Sequence, residues 1–173
     1  MDLHNLDDVT REIMISEFQQ DLDTGRLYLG RRLNSRGHQR WPEILADALR
    51  CGGPASLADL IRAERLLLAR ETYQRNGKPY EKKVPVNAAD TLAEGEFVRF
   101  YMRAVCVRAI SAMMKVQVYR AKAVNDPRLE SALKIGQLID PAALLDDLRM
   151  HVGVETALGL PPGPNSGLCV RLS

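Results

Sequence analysis

Apolar residues recur every three or four positions in five segments of this chain, a spacing that predicts amphipathic helices. We expect these helices over residues 6–20, 42–50, 56–69, 88–113 and 141–150. The fourth is the longest, and its apolar residues cover more than one face, so we expect it to be the central buried helix. Its predicted core residues are Leu92, Phe97, Phe100 and Val105.

Apolar and polar residues alternate in three shorter segments, which predicts strands over residues 26–30, 115–122 and 168–172. The dipeptide Asn76-Gly77 lies between two runs that contain Tyr, Thr and Val. It predicts a β-hairpin, because a type I′ turn needs positive φ at both central residues. Residues 33–40, LNSRGHQR, have the composition of a loop. Helices and short strands together predict an α+β fold in a single compact domain.

Two consecutive helices followed by a basic hairpin have the element order of a winged helix, in which the second helix enters the major groove of DNA. We therefore interpret residues 1–86 as a helix-turn-helix and hairpin portion with winged-helix character. Residues 87–158 are expected to supply the central helix, a strand and a short helix of the same core. Residues 159–173 are expected to form a Pro/Gly-rich C-terminal arm that ends in the predicted strand.

The composition is that of an ordinary globular protein and argues against several classes. The 173 residues, 46% of them apolar, are enough to bury a core. No apolar run approaches the roughly 20 residues of a membrane-spanning helix, and the acidic N-terminus lacks the pattern of a secretory signal. Three widely spaced cysteines without a histidine cluster predict neither a disulfide framework nor a zinc site. We expect a cytoplasmic location, no cofactor and no membrane partner.

Charge is segregated along the chain, although the formal net charge is only +2. Residues 1–25 contain seven acidic residues and one basic residue, whereas residues 26–86 contain thirteen basic and six acidic residues. A basic surface over residues 26–86 suits phosphate contacts, so we predict a non-enzymatic protein that binds double-stranded nucleic acid. The residues predicted to bind it are Arg31, Arg32, Arg36, Arg40, Arg62, Arg65, Arg75, Lys78, Lys82 and Lys83.

Other arrangements explain the same charges. Glu64 and Glu71 interleave with the arginines of the second predicted helix and could pair with them on a solvated helix face. Basic hairpin residues could simply protect an edge strand from aggregation. The acidic N-terminal segment could lie across the basic block and neutralise it. In a further alternative the protein is a structural subunit of a homo-oligomer, assembled through its acidic N-terminal helix and its C-terminal arm. The predicted oligomer contacts are Leu168, Val170 and Leu172.

An enzymatic function has the weakest support in the sequence. The chain contains no phosphate-binding loop, zinc-protease motif or nucleophile elbow. The alternative that remains is a metal-dependent nuclease, in which Glu94 with Glu96, or Asp146 with Asp147, would act with a lysine. Helical residues one or two positions apart point in different directions, so the two carboxylates of each pair are not placed to bind the same metal ion. The lysines considered are Lys82, Lys83 and Lys122.

Overall fold

The computed structural model describes residues 1–124, 129–153 and 167–173. Helices and antiparallel sheets are mixed along these segments, which confirms the predicted α+β class. In chain order the elements are α1 Asp8–Asp23, α2 Ser35–Cys51, α3 Pro54–Ala63, β1 Arg70–Arg75, β2 Lys78–Lys83, α4 Ala88–Ser111, β3 Val116–Arg120, α5 Leu129–Lys134, β4 Leu138–Ile139, α6 Pro141–Met150 and β5 Leu168–Leu172. Residues 159–166 of the predicted arm lie outside the described residues.

The chain divides into two compact units. The first unit comprises residues 1–27 and 98–173, and the second comprises residues 28–97. The predicted portions 1–86 and 87–158 therefore each contribute residues to both units. Helix α4 supplies its residues 88–97 to the second unit and its residues 98–111 to the first.

The first unit contains a three-stranded antiparallel sheet with the strand order β4-β3-β5. Strand β5 pairs with β3 in the register that places Val118 opposite Val170, and both side chains are buried. Phe100 of α4 is buried and meets Phe18 of α1 edge-on, with 6.0 Å between ring centroids. An Asp7 cap starts α1, since its carboxylate accepts a hydrogen bond from the backbone N–H of Thr10.

The second unit packs α2 against α3 and adds the first turns of α4. Trp41 is fully buried, and its indole N–H donates to the carbonyl oxygen of Tyr28 at 2.8 Å. Burying the ring with its N–H bonded avoids the cost of an unsatisfied polar group. The apolar core of this unit is made by side chains of all three helices and of the loop after α3: Trp41, Leu45, Leu49, Leu57, Ile61, Leu66, Ala93 and Phe97.

Helix α2 begins at Ser35, so the predicted loop over residues 33–40 and the predicted start at Pro42 are wrong. Asn34 caps the helix by accepting from the backbone N–H of Gly37 at 2.8 Å. The first turn of the helix also packs closely, because a Cβ atom on Gly37 would stand 2.4 Å from the carbonyl oxygen of Leu66. This contact crosses 29 positions of sequence, and local composition carries no sign of it.

Three further predictions need correction. Residues 26–30 form no strand. Helix α3 begins at Pro54, with Ser56 in its first turn, and ends at Ala63 instead of continuing to residue 69. Leu92 is only half-buried, although the other predicted core residues of α4 are fully buried. The winged-helix arrangement is not confirmed.

Within the segments described, no helix is long and apolar enough to cross a membrane.

Candidate nucleic-acid interface

Strands β1 and β2 form a two-stranded sheet of their own, and nearly every residue in them is exposed. Asn76 and Gly77 connect the strands with φ angles of 51° and 72°. Positive φ at both positions is the requirement of a type I′ turn, so the predicted hairpin is confirmed. The turn fixes the register, which pairs Arg75 with Lys78 and Tyr73 with Tyr80.

Alternation along the strands gives the hairpin two chemically different faces, because successive side chains point to opposite sides. One, which we call the tyrosine face, is cationic and aromatic. It carries Glu71, Tyr73, Arg75, Lys78, Tyr80 and Lys82. The opposite face carries Arg70, Thr72, Gln74, Pro79, Glu81 and Lys83.

The two tyrosines lie side by side across the strands and remain open to solvent. Their ring centroids are 5.8 Å apart and the rings are inclined by 31°. Tyr73 is 38% exposed and Tyr80 is 45% exposed. The ammonium group of Lys82 lies over the Tyr73 ring, 5.3 Å from its centroid. An aromatic pair beside a cation is a surface on which a planar ligand can stack.

At the base of the hairpin, Glu71 holds two cations. Arg32 donates to both of its carboxylate oxygens, at 2.6 and 3.1 Å, and Lys82 lies 3.2 Å away. The hydrogen bond from Arg32 is the main cause that lowers the pKa of Glu71 to about 2. The carboxylate is therefore charged throughout the physiological range, and Arg32 serves to fasten the hairpin to the loop before α2.

Three cations of the hairpin form no ion pair in the part of the chain that the structure describes. Arg75 and Lys78 lie at the tip and Lys83 at the base, and all three are exposed. Arg75 and Lys78 face each other on the tyrosine face, next to the tyrosine pair. They are the predicted site residues best placed to meet an anionic partner.

The arginines of the helices differ, because carboxylates in the same unit already bind them. Arg62 pairs with Asp59 and with Asp90. A bidentate contact joins Arg40 to Glu64, at 2.9 and 3.2 Å. The same Arg40 also bonds Glu43, and Arg36 pairs with Glu64.

The hydrogen bond from Arg40 is the main cause that holds the pKa of Glu64 below its ordinary value. Glu64 and Glu71 thus do pair with arginines, as the alternative to nucleic-acid contact proposed, but the partners are Arg36, Arg40 and Arg32 and not the arginines that interleave with them along the chain.

Arg65 does not lie on a recognition helix, because α3 ends two residues earlier and Arg65 has a φ angle of 54°. Arg31 lies in the turn before α2 and is exposed. The structure therefore scatters the ten predicted residues over three settings: four on the hairpin, three ion-paired on the helices, and Arg31, Arg32 and Arg65 in loops.

The acidic N-terminal helix finds its partners among later residues of the first unit. Arg103 binds the buried carboxylates of Glu17 and Asp21, and Arg149 binds Glu17 as well. Arg108 pairs with the capping residue Asp7. None of these arginines belongs to the basic block 26–86, so three of the seven acidic residues are neutralised by other cations.

The predicted oligomer contacts all lie on β5. Leu168 and Val170 are buried within their own sheet, and Leu172 is half-buried. The arm's final strand therefore completes the sheet of its own chain. Its backbone is also tied to the N-terminal segment, since the N–H of Leu172 donates to the side chain of Asn5 at 3.0 Å.

Across residues 1–124, 129–153 and 167–173, no group of three or more His, Cys, Asp or Glu residues is placed to hold a metal ion.

Sequence reasoning missed Tyr73 and Tyr80 as site residues. The signal was present, since a two-residue turn at Asn76-Gly77 pairs the residues equidistant from it. Counting three positions outward from the turn on each side gives Tyr73 and Tyr80 on one face.

Comparison with protein-family models, curated proteins and solved structures finds no match to this chain.

Proposed function

We propose that this protein binds nucleic acid through the tyrosine face of the β1–β2 hairpin. The observation that carries the proposal is the exposed cation pair Arg75 and Lys78, set beside an exposed aromatic pair on a strand ribbon. Phosphate contacts by such cations supply most sequence-independent affinity for nucleic acid. A two-stranded ribbon is also narrow enough to enter the major groove of a duplex, the partner that the charge pattern predicts.

Of the basic surface predicted over residues 26–86, the proposal assigns nucleic-acid contact to the hairpin alone. Arg36, Arg40 and Arg62 would have to exchange a carboxylate for a phosphate, which forfeits ion pairs already formed. Arg75 and Lys78 give up only hydration. Binding a phosphate through the hairpin therefore costs less free energy than binding it through the ion-paired arginines of the helices.

Salt dependence tests the proposal. With two or three phosphate contacts, the logarithm of the binding constant should fall with the logarithm of salt concentration at a slope of about −2. Fluorescence anisotropy with labelled oligonucleotides, at salt concentrations from about 50 to 200 mM, measures that slope. The double variant Arg75→Ala/Lys78→Ala should weaken binding and flatten the slope by about 1.4 to 1.8, since each contact contributes roughly 0.7 to 0.9.

Arg50→Ala is the matched control for Lys78→Ala. It also removes one exposed positive charge from the second unit, but Arg50 lies on α2 and pairs with Asp47. Lys78→Ala should weaken binding more than Arg50→Ala does. Equal effects of the two variants, or no binding by the intact protein at about 50 mM salt, would refute the proposal.

Self-assembly is the second proposal, and the sheet order supports it. In the described residues β5 lies at the edge of its sheet, and an edge strand can pair with a strand of a second copy. Size-exclusion chromatography with light scattering should then show a molecular mass that rises with protein concentration. A constant monomer mass across the micromolar range would reject assembly.

A further inference from the structure

We propose that the hairpin recognises unpaired nucleotides, with a base stacked on the ring of Tyr80 and the neighbouring phosphates held by Arg75 and Lys78. This inference rests on the proposed function and adds the class of nucleic acid to it. The ligand is a flexible single strand whose base faces are free.

The two tyrosines are unequally available to a base. Lys82 lies over the ring of Tyr73, whereas Tyr80 is the more exposed of the pair and carries Tyr73 at its side. Tyr73, with Lys82 over its ring, thus lies beside Tyr80 and leaves the Tyr80 ring as the one available for stacking. A planar base laid against Tyr80 gains ring contact without displacing an ion from the hairpin.

The cation pair is the neighbour of the aromatic pair on the same face of the hairpin. Arg75 and Lys78 lie two residues from Tyr73 and Tyr80 on their respective strands. At about 3.4 Å per residue, this places the cation pair roughly 7 Å from the aromatic pair. One nucleotide that stacks on the ring can therefore bring an adjoining phosphate to the tip of the hairpin.

A duplex cannot use the aromatic pair in this way. Its base faces are covered by their stacked neighbours, and exposing one costs a few kcal/mol of unstacking. A single strand has already exposed its bases, so it gains the stacking contact in addition to the phosphate contacts. The same cations thus bind both forms, while the tyrosines favour the single strand.

The test uses a labelled oligothymidylate of about 20 nucleotides, which has no secondary structure, and a duplex of the same length. The variants are Tyr80→Leu, which keeps an apolar side chain but removes the ring, and Tyr80→Phe, which keeps the ring. Gln74→Ala is the control on the opposite face of the hairpin. Far-UV circular dichroism of each variant checks that the fold is retained, which we expect because Tyr80 is exposed.

The intact protein should bind the single strand more tightly than the duplex. Tyr80→Leu should weaken single-strand binding about 5- to 150-fold, the range expected when one aromatic stacking partner is lost, and should leave duplex binding within about twofold. Tyr80→Phe and Gln74→Ala should both bind as the intact protein does.

Failures of the two proposals are distinguishable. Binding that depends on Arg75 and Lys78 but is unchanged in Tyr80→Leu would overturn the stacking inference alone. A matching loss in Tyr80→Phe would also overturn it, because the ring would then not be the contact. No salt-sensitive binding of either oligonucleotide would overturn the proposed function itself.

Discussion

Replacing Arg103 with Met tests how far the first unit depends on its buried charges. The Arg103 side chain is fully buried and lies between two buried carboxylates. It donates to Glu17 at 2.7 Å and to both oxygens of Asp21, at 2.6 and 3.0 Å. Methionine has a similar length and fills much of the same volume, so the substitution removes the charge while leaving only a modest cavity.

The expected cost is about 3 to 5 kcal/mol of unfolding free energy. The attraction within a buried ion pair is largely offset by desolvation, but removing one member leaves the other buried without compensation. Arg149 still donates to Glu17 in the variant, at 3.0 and 2.5 Å, and this holds the loss near the lower end of the range. Asp21, in contrast, loses both of the hydrogen bonds that Arg103 donates to its carboxylate oxygens.

The matched control is Arg149→Met. Its side chain is 32% exposed, and water can replace part of what it donates to Glu17. We expect a cost of about 1 to 2 kcal/mol, clearly below that of Arg103→Met. Urea unfolding followed by far-UV circular dichroism gives both values. If Arg103→Met costs less than Arg149→Met, burial does not set the strength of these contacts and the reasoning is refuted.

The pH dependence gives a second readout. Burial raises the pKa of Glu17, but hydrogen bonding by Arg149 and the charge of Arg103 outweigh it and hold that pKa below its ordinary value. A lowered folded-state pKa contributes stability that is complete above the ordinary glutamate range, near pH 4 to 5, and is lost as pH falls through the folded-state value. Arg103→Met removes part of this contribution. The difference in unfolding free energy between the two proteins should therefore narrow as the pH falls below about 5. A difference that stays constant would contradict the role of Arg103 in lowering the pKa of Glu17.

Three further substitutions probe packing and are measured by the same urea unfolding. Gly37→Ala should cost more than about 1 kcal/mol, because its Cβ would meet the backbone of Leu66 at 2.4 Å. Gly95→Ala should stabilise by about 0.5 to 1 kcal/mol, since nothing lies within 4 Å of its Cβ position in α4. The test is that these two substitutions change the unfolding free energy in opposite directions. Changes in the same direction would contradict the close contact at Gly37. Phe100→Ala should cost about 3 to 5 kcal/mol, and a cost below about 1 would be incompatible with its full burial.

Elements with a signal in neighbouring residues were predictable from the sequence. The hairpin follows from Asn76-Gly77, because the φ angles of a type I′ turn suit those two residues. Helix α6 covers the predicted residues 141–150, capped by Asp140, whose carboxylate accepts from two backbone N–H groups of the first turn. The alternation of apolar and polar residues over 168–172 likewise predicted β5. In each case the physical cause acts within a few positions along the chain.

Tertiary structure decided where α2 begins and what most of the charges do. Asn34 caps α2 and also donates through its side chain to the carbonyl oxygen of Arg65, 31 positions later. Arg103 reaches Glu17 across 86 positions. Whether a basic residue meets a carboxylate or remains open to an outside anion depends on which distant residues the chain path brings within about 4 Å. The sequence could therefore place cations in a basic block, but only the fold separates Arg62, which binds carboxylates, from Lys78, which forms no ion pair with any residue that the structure describes.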